Sequence, residues 1–228
     1  SRMISPSQYL RVCVKPANPK AKQKGGRGMQ KLDLPGLRQA RPQDHRQLAD
    51  ITAEAFRDDP LNRWIFGPPR AILSAFRTLA PAYLKTGLCY LSGDQGATMW
   101  TGPGQSVGLT FALQMRFLAG MWRHASPGAM TRIQQIGRQM ADHHPESPHF
   151  YLFTIGTRAT ARGQGIGRAL IQPMLDVADQ RDLPVYLENS NPANHGFYAA
   201  HGFEKTGDFN AGGTGPVVSP MLRAPRRA

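Results

Sequence analysis

Phe150-Tyr151-Leu152-Phe153-Thr154-Ile155-Gly156-Thr157, followed after four residues by Arg162-Gly163-Gln164-Gly165-Ile166-Gly167-Arg168, is the stretch that decides the architecture. The apolar and β-branched run at 150–155 reads as a buried strand, and the span from Gly165 to Arg181 has helical spacing. A glycine turn between a strand and a helix lets successive backbone N–H groups and the helix dipole hold a phosphate. A tight structural turn is the other reading such a segment allows. Two rival phosphate motifs fail on spacing. The run is G-x-G-x-G with Leu170 beyond it, without the acidic residue of a dinucleotide fingerprint, and no Gly-Lys-Ser/Thr follows as a Walker loop requires.

Working outward, Val185 to Glu188 reads as a strand and Ala193 to His201 as a short helix, with two closing strands near Phe203 to Phe209 and Pro216 to Leu222. Upstream, Leu37 to Ala40 alternates like a short strand. Arg41-Pro42-Gln43-Asp44 then opens an amphipathic helix carrying Leu48, Ile51, Ala55 and Phe56, which Asp58-Asp59-Pro60 ends. Two more helical stretches hold Trp64 to Phe66 and Ile72 to Leu84. Leu88 to Leu91 and Ala97 to Thr101 form a hairpin around Ser92 to Gly96, and helices over Leu109 to His124 and Met130 to His143 make an insertion at about 105–145. The expected class is α/β, with no internal repeat.

The formal charge of +13 invites a nucleic-acid reading, but it sits in the tails. Eleven of the 28 basic residues lie between Arg2 and Lys31 or among Arg223, Arg226 and Arg227, leaving 17 against 15 acidic residues in the body. A near-neutral body is no duplex-binding surface, so no specific nucleic-acid partner is expected. Residues 1–33 read as a disordered basic tail, 34–223 as one domain and 224–228 as a second basic tail. Cys13 and Cys89 imply no disulfide framework, so a reducing compartment, the cytoplasm, is expected. The acid-free start also suits a transit peptide but lacks an amphipathic repeat. No run approaches the roughly 18 apolar residues of a membrane span.

Arg162 to Gly167 resembles the Arg/Gln-x-x-Gly-x-Gly hallmark of the GCN5-related N-acetyltransferase superfamily at every defined position. Asn194-His195-Gly196-Phe197-Tyr198-Ala199-Ala200-His201-Gly202-Phe203 is similar to its Asn-x-x-Phe-Tyr-x-x-x-Gly-Phe block, in the right order and separation. Ala55 to Pro60, Met99-Trp100-Thr101-x-Pro103 and Leu187-Glu188-Asn189-Ser190 look like the puromycin N-acetyltransferase-like branch, and the likeness spans about 37–223. Thr157 and Ala159 depart from the β-branched apolar residue and proline frequent there. Both positions act through backbone, so altered stiffness is expected and not lost binding.

The resemblance implies a mostly antiparallel central sheet with helices on both faces, whose fourth and fifth strands splay so that the pantetheine arm of acetyl-CoA enters the gap. It assigns Phe153, Ile155, Gly156 and Thr157 to the co-substrate, with an oxyanion-holding amide near Ile155. The pyrophosphate falls on Gly163, Gln164, Gly165, Ile166, Gly167 and Arg168, with Arg162 and Arg168 adding field. Asn189 and Asn194 orient pantetheine amides, and Tyr198 is the general acid. The activity implied is acetyl transfer to a small-molecule amine in a direct ternary complex, by a monomer or homodimer. A protein or peptide N-acetyltransferase and a non-catalytic acyl-CoA sensor are the alternatives.

A lysine-like amine has a pKa of about 10 and must lose a proton before it attacks. Glu188, at a strand end facing the ligand crevice, is the best candidate base, and binding the substrate's ammonium is the other role its position allows. Asp58 and Asp59 suit drawing in a cationic acceptor or merely ending a helix, and Trp100 is assigned to the substrate with its branch-like segment. No metal is expected. His143, His144 and His149 are irregularly spaced and proline-interrupted, which suits a solvated loop better than a zinc site.

Overall fold

The computed structural model describes residues 34–226. The proposed tail at 1–33 and the last two residues of the tail at 224–228 lie outside them. Strands β1 (Arg38–Gln39), β2 (Cys89–Ser92), β3 (Gly96–Thr101), β4 (Phe150–Thr157), β5 (Val185–Asn189), β6 (Glu204–Lys205), β7 (Phe209–Asn210) and β8 (Val217–Arg223) form one sheet in the order β1-β2-β3-β4-β5-β8-β6, with β7 also on β8. Every pairing is antiparallel except β4 with β5. The mixed α/β sheet read from the sequence is present. The expected single strand over 203–209 is instead two short strands, because Asp208 turns to accept from Ser219 Oγ (2.5 Å) and Lys205 Nζ (2.6 Å), breaking the ladder.

Helices α1 (His45–Ala55), α2 (Pro60–Phe66), α3 (Pro69–Tyr83), α4 (Phe111–His124) and α5 (Ala129–His143) cover one face; α6 (Ile166–Gln180) and α7 (His195–Ala200) cover the other. Each face has its own core. Leu48, Ile51, Ile72, Phe76, Met99 and Ile133 belong to the first, and Tyr90, Trp100, Phe150, Leu170, Ile171 and Met174 to the second. Burial of this apolar surface from both sides is the main stabilising term. Helix starts follow local chemistry: Asp59 caps α2 by accepting from Asn62 N (2.8 Å), with Pro60 at the first helical position, and Thr110 caps α4. Helices α4 and α5 occupy the stretch read as an insertion at 105–145, and they add to the first core through Phe117, Met121, Ile133 and Ile136.

Two departures from regular pairing shape the site. Met99 faces Thr154 while Trp100 faces Leu152, so Phe153 is an extra residue on β4, a β-bulge. The bulge reverses the alternation of side chains: Phe153 packs into the first core and Ile155 against the second. In addition, β4 pairs with β5 only at Phe150↔Val185 and Tyr151↔Tyr186. From Leu152 to Thr157 that side of β4 makes no pairing with β5, and the two strands diverge.

Arg223, counted above with the tail charges, is buried at the end of β8. Its guanidinium forks onto both oxygens of Asp179 at 2.7 Å and donates to His201 O at 3.0 Å. Asp179 also accepts from the Arg226 backbone amide (2.7 Å), so the chain is fastened to α6 as far as Arg226.

Candidate active site

The divergence of β4 from β5 opens a cavity of about 150 Å³ lined by Tyr151 to Ile155 of β4, Leu187 to Ser190, Asn194 and Tyr198. Its other wall is almost wholly apolar and comes from helices of the first face: Phe56, Leu61, Ile65, Phe76, Leu79, Tyr83, Phe117, Ile133, Ile136 and Met140, with Val107 and Leu109 ahead of α4. The bulge turns Phe153 toward this wall, where its ring stacks on Tyr83 at 4.3 Å. A groove with an unpaired strand edge on one side and apolar helices on the other suits an extended amide-bearing chain along the edge and an apolar body beside it.

The glycine loop follows the exit of β4. Gly163 (φ +76°) and Gly165 (φ +77°) occupy the left-handed region that β-branched and bulky residues avoid, and Gly165 is the residue immediately before α6. The first amides of α6 have no intrahelical acceptor, so those of Ile166, Gly167 and Arg168 remain available to an anion. The loop from Arg162 to Gly165 and Arg168 are exposed, and Gln164 Nε2 braces the loop by donating to Thr160 O at 2.9 Å. Gly156 has a packing reason as well as an edge position: a Cβ there would come within 2.5 Å of Ala55 Cβ on α1. These features fit a pyrophosphate at the helix start and a pantetheine arm along β4. Ahead of the loop, Glu54 pairs with Arg158 and accepts from the Ala159 amide (3.1 Å), fixing the strand exit in place of the proline frequent at 159.

Glu188 and Tyr198 both line the cavity. The Glu188 side chain is 3% exposed, and its Oε1 is buried with no hydrogen-bond partner. Beside it are the phenols of Tyr151 and Tyr186, both held far above the usual tyrosine range by burial and by the neighbouring carboxylate. Tyr198, on α7, is 8% exposed and packs edge-on to Phe197 and Phe203. Burial, with the Asp59 charge second, raises its phenol above the ordinary value, so it is protonated at neutral pH.

The other sequence-assigned residues divide. Asn189 is buried in the lining, its Oδ1 accepting from Asn191 N (3.2 Å), and Asn194 lies exposed at the rim. Asp59 does not line the cavity. Besides capping α2 it accepts from Ser190 Oγ at 2.6 Å, tying the first helical loop to the end of β5. Asp58 is exposed and also outside the lining. The assignment of Trp100 to the substrate is corrected: it is 0% exposed in the second core, because its strand register points the indole away from the cavity. The histidines read as a solvated loop are also corrected in part. His144 and His149 are half-buried, with Nε2 atoms 3.0 Å apart, and His144 Nδ1 stands 3.8 Å from Glu188 Oε1. Their irregular spacing concealed this, since the contact depends on a loop folding back against β5.

The acetyltransferase (GNAT) family model matches residues 123–203, a segment holding α5, β4, the glycine loop and the Tyr198 block. An uncharacterized N-acetyltransferase of Schizosaccharomyces pombe is 25% identical over 182 residues, 70% of each chain. Among solved structures, histone acetyltransferase HPA2 and related acetyltransferase from Corynebacterium glutamicum superposes with a TM-score of 0.59 at 21% identity, covering 86% of this chain and 99% of that one. Arylalkylamine N-acetyltransferase 2 from Aedes aegypti gives 0.57 at 11% identity, with 83% and 98% covered. The fold and the matched segment make the chain similar to the acyl-CoA-dependent acetyltransferases of the GNAT family. The family match and the N-acetyltransferase relative together support an acetyltransferase enzyme.

Proposed function

We propose that the protein transfers the acetyl group of acetyl-CoA to the primary amine of a small molecule with an apolar body. The observation that carries this is the cavity itself: an almost entirely apolar wall from Phe56 and α2 to α5 facing the Glu188 carboxylate and the Tyr198 phenol beside the unpaired edge of β4. Burial of an apolar acceptor there gives binding energy, while Glu188 supplies the charge complement to its ammonium. Likeness of fold to an arylalkylamine N-acetyltransferase supports the same reading. The segments at 55–60, 99–103 and 187–190 further support a place near the puromycin N-acetyltransferase-like branch. The two cysteines support a reducing, cytoplasmic setting.

Bound acetyl-CoA supplies an acetyl thioester. The β4 edge orients its arm, and the amides at 163–168 with Arg162 and Arg168 hold its phosphates. Glu188 takes a proton from the incoming ammonium, freeing the nitrogen lone pair. The amine nitrogen then bonds to the thioester carbon and the C–S bond breaks; Tyr198 gives its phenolic proton to the departing sulfur, whose conjugate acid has a pKa of about 8.5, and regains one from the second proton on the acylated nitrogen. The test is release of free thiol on incubation with acetyl-CoA and a panel of amines: arylalkylamines, polyamines, amino acids, aminoglycosides and short peptides. Turnover of arylalkylamines is expected. Activity confined to peptides would overturn the small-molecule reading. Cys89 will not disturb the assay, since burial pushes its thiol up to about 12.

A further inference from the structure

The hydrogen bonds around His144 have forced directions. His149 Nδ1 lies 2.6 Å from the carbonyl oxygen of Ser147, which can only accept, so that nitrogen carries a proton. His149 is neutral near pH 7, because burial lowers its pKa, and its Nε2 is therefore a lone pair. The His144 Nε2 at 3.0 Å from it must donate. What remains on His144 is Nδ1, which faces Glu188 Oε1 at 3.8 Å. The other groups around His144 are the rings of Tyr151 on β4 and Tyr186 on β5, met edge-on at 5.1 and 5.0 Å. Neither phenol gives up its proton in the neutral range. His144 is thus the one titratable side chain described here that meets Glu188 and also reaches solvent, with 21% of its side chain open against 3% for Glu188.

The geometry points to His144, oriented by His149, as the outlet through which Glu188 discharges the proton it takes from the amine. This rests on the acetyltransfer reading above. A buried carboxylate that has accepted a proton must lose it before the next turnover, and its cavity side is then covered by substrate. The Glu188 O–H bond breaks as an N–H bond forms at His144 Nδ1. The imidazolium releases that proton to water, and both groups return to their starting state. His149 acts as a positioning residue: by fixing the proton on His144 Nε2 it leaves Nδ1 free to receive. The 3.8 Å gap closes by a small rotation of either side chain or is bridged by one water.

Two measurements test this. The first needs no acceptor: imidazole ¹⁵N NMR of the free protein near pH 7 should show His149 protonated on Nδ1, His144 protonated on Nε2, and a scalar coupling between the two Nε2 atoms. A proton on His149 Nε2 would overturn the relay whatever the enzyme acetylates. The second uses acetyl-CoA with 2-phenylethylamine, or with whichever panel amine turns over. His144→Gln keeps the donor to His149 but cannot carry a proton, and should lower kcat by about tenfold or more with KM for acetyl-CoA within about twofold. Free imidazole should restore His144→Ala. Glu188→Gln with His144→Gln should be no slower than Glu188→Gln alone, since the two act in series. Losses that multiply, or a His144→Gln enzyme within twofold of the parent, would refute the relay. Loss of activity on chelation, restored by zinc, would make the histidines ligands and refute it equally. Absence of turnover with every amine would count against the acetyltransfer reading, leaving the NMR result to decide the proton arrangement.

Discussion

Tyr198 shows how burial sets a residue's chemistry. Its ring packs edge-on to Phe197 and Phe203, burial raises its phenol's pKa, and the Asp59 carboxylate makes ionisation costlier still. Tyr198→Phe removes the proton and keeps the ring, so kcat should fall by about 10²–10⁴-fold with binding of CoA little changed, as read by steady-state kinetics and calorimetry. The sign of the pH effect follows from the raised pKa. A general acid works while protonated and fails as pH rises through its pKa, so no loss of kcat from Tyr198 is expected up to the ordinary tyrosine value of about 10. A pH–rate profile for the parent that falls well below that value, and loses that fall in Tyr198→Phe, would contradict the assignment. Tyr198 was legible because it sits in a contiguous block. His144 and His149 were not, since only the folded loop sets their relation to Glu188.

Among the elements, β4 and α6 carry the site by backbone. Gly165 at φ +77° turns the chain so that the start of α6 opens outward, a conformation a β-branched residue adopts only at a cost of about 1–3 kcal/mol. Gly165→Val should therefore weaken CoA binding by about tenfold or more, measured by calorimetry, while circular dichroism shows the helix content kept. The glycine loop was readable because the need for small residues and positive φ is written in residue type. The bulge at Phe153 was not. A period-two reading puts Phe153, Ile155 and Thr157 on one face, whereas the extra residue sends Phe153 toward the cavity and Ile155 toward α6. Nothing in the strand's composition marks that insertion, because it arises from how β3 and β4 pair.

Across the whole molecule, the buried Arg223–Asp179 fork joins the last strand to α6 and with it the Tyr198 side of the sheet to the glycine-loop helix. The guanidinium's hydrogen bonds hold the Asp179 carboxyl below its usual range. A depressed carboxylate stabilises the fold fully above its unfolded value of about 3.9, and that contribution is lost as pH falls through the lower folded value. Asp179→Ala leaves Arg223 buried without its partner and should cost about 3–5 kcal/mol in urea unfolding at pH 7. The difference between the two proteins should narrow below about pH 4; a constant difference down to pH 2 would show that the pair contributes through packing alone.

By itself the sequence determined the order of strands and helices, the glycine turn before α6 and the tyrosine block, since each is set by local hydrophobic period, glycine conformation or contiguous spacing. It also located the excess positive charge outside the middle of the chain, Arg223 excepted. Tertiary structure alone decided that Trp100 is core, that Asp59 bridges to Ser190, and that two histidines stand behind Glu188. Those facts depend on strand register and loop closure, which bring together side chains that no periodicity along the chain connects.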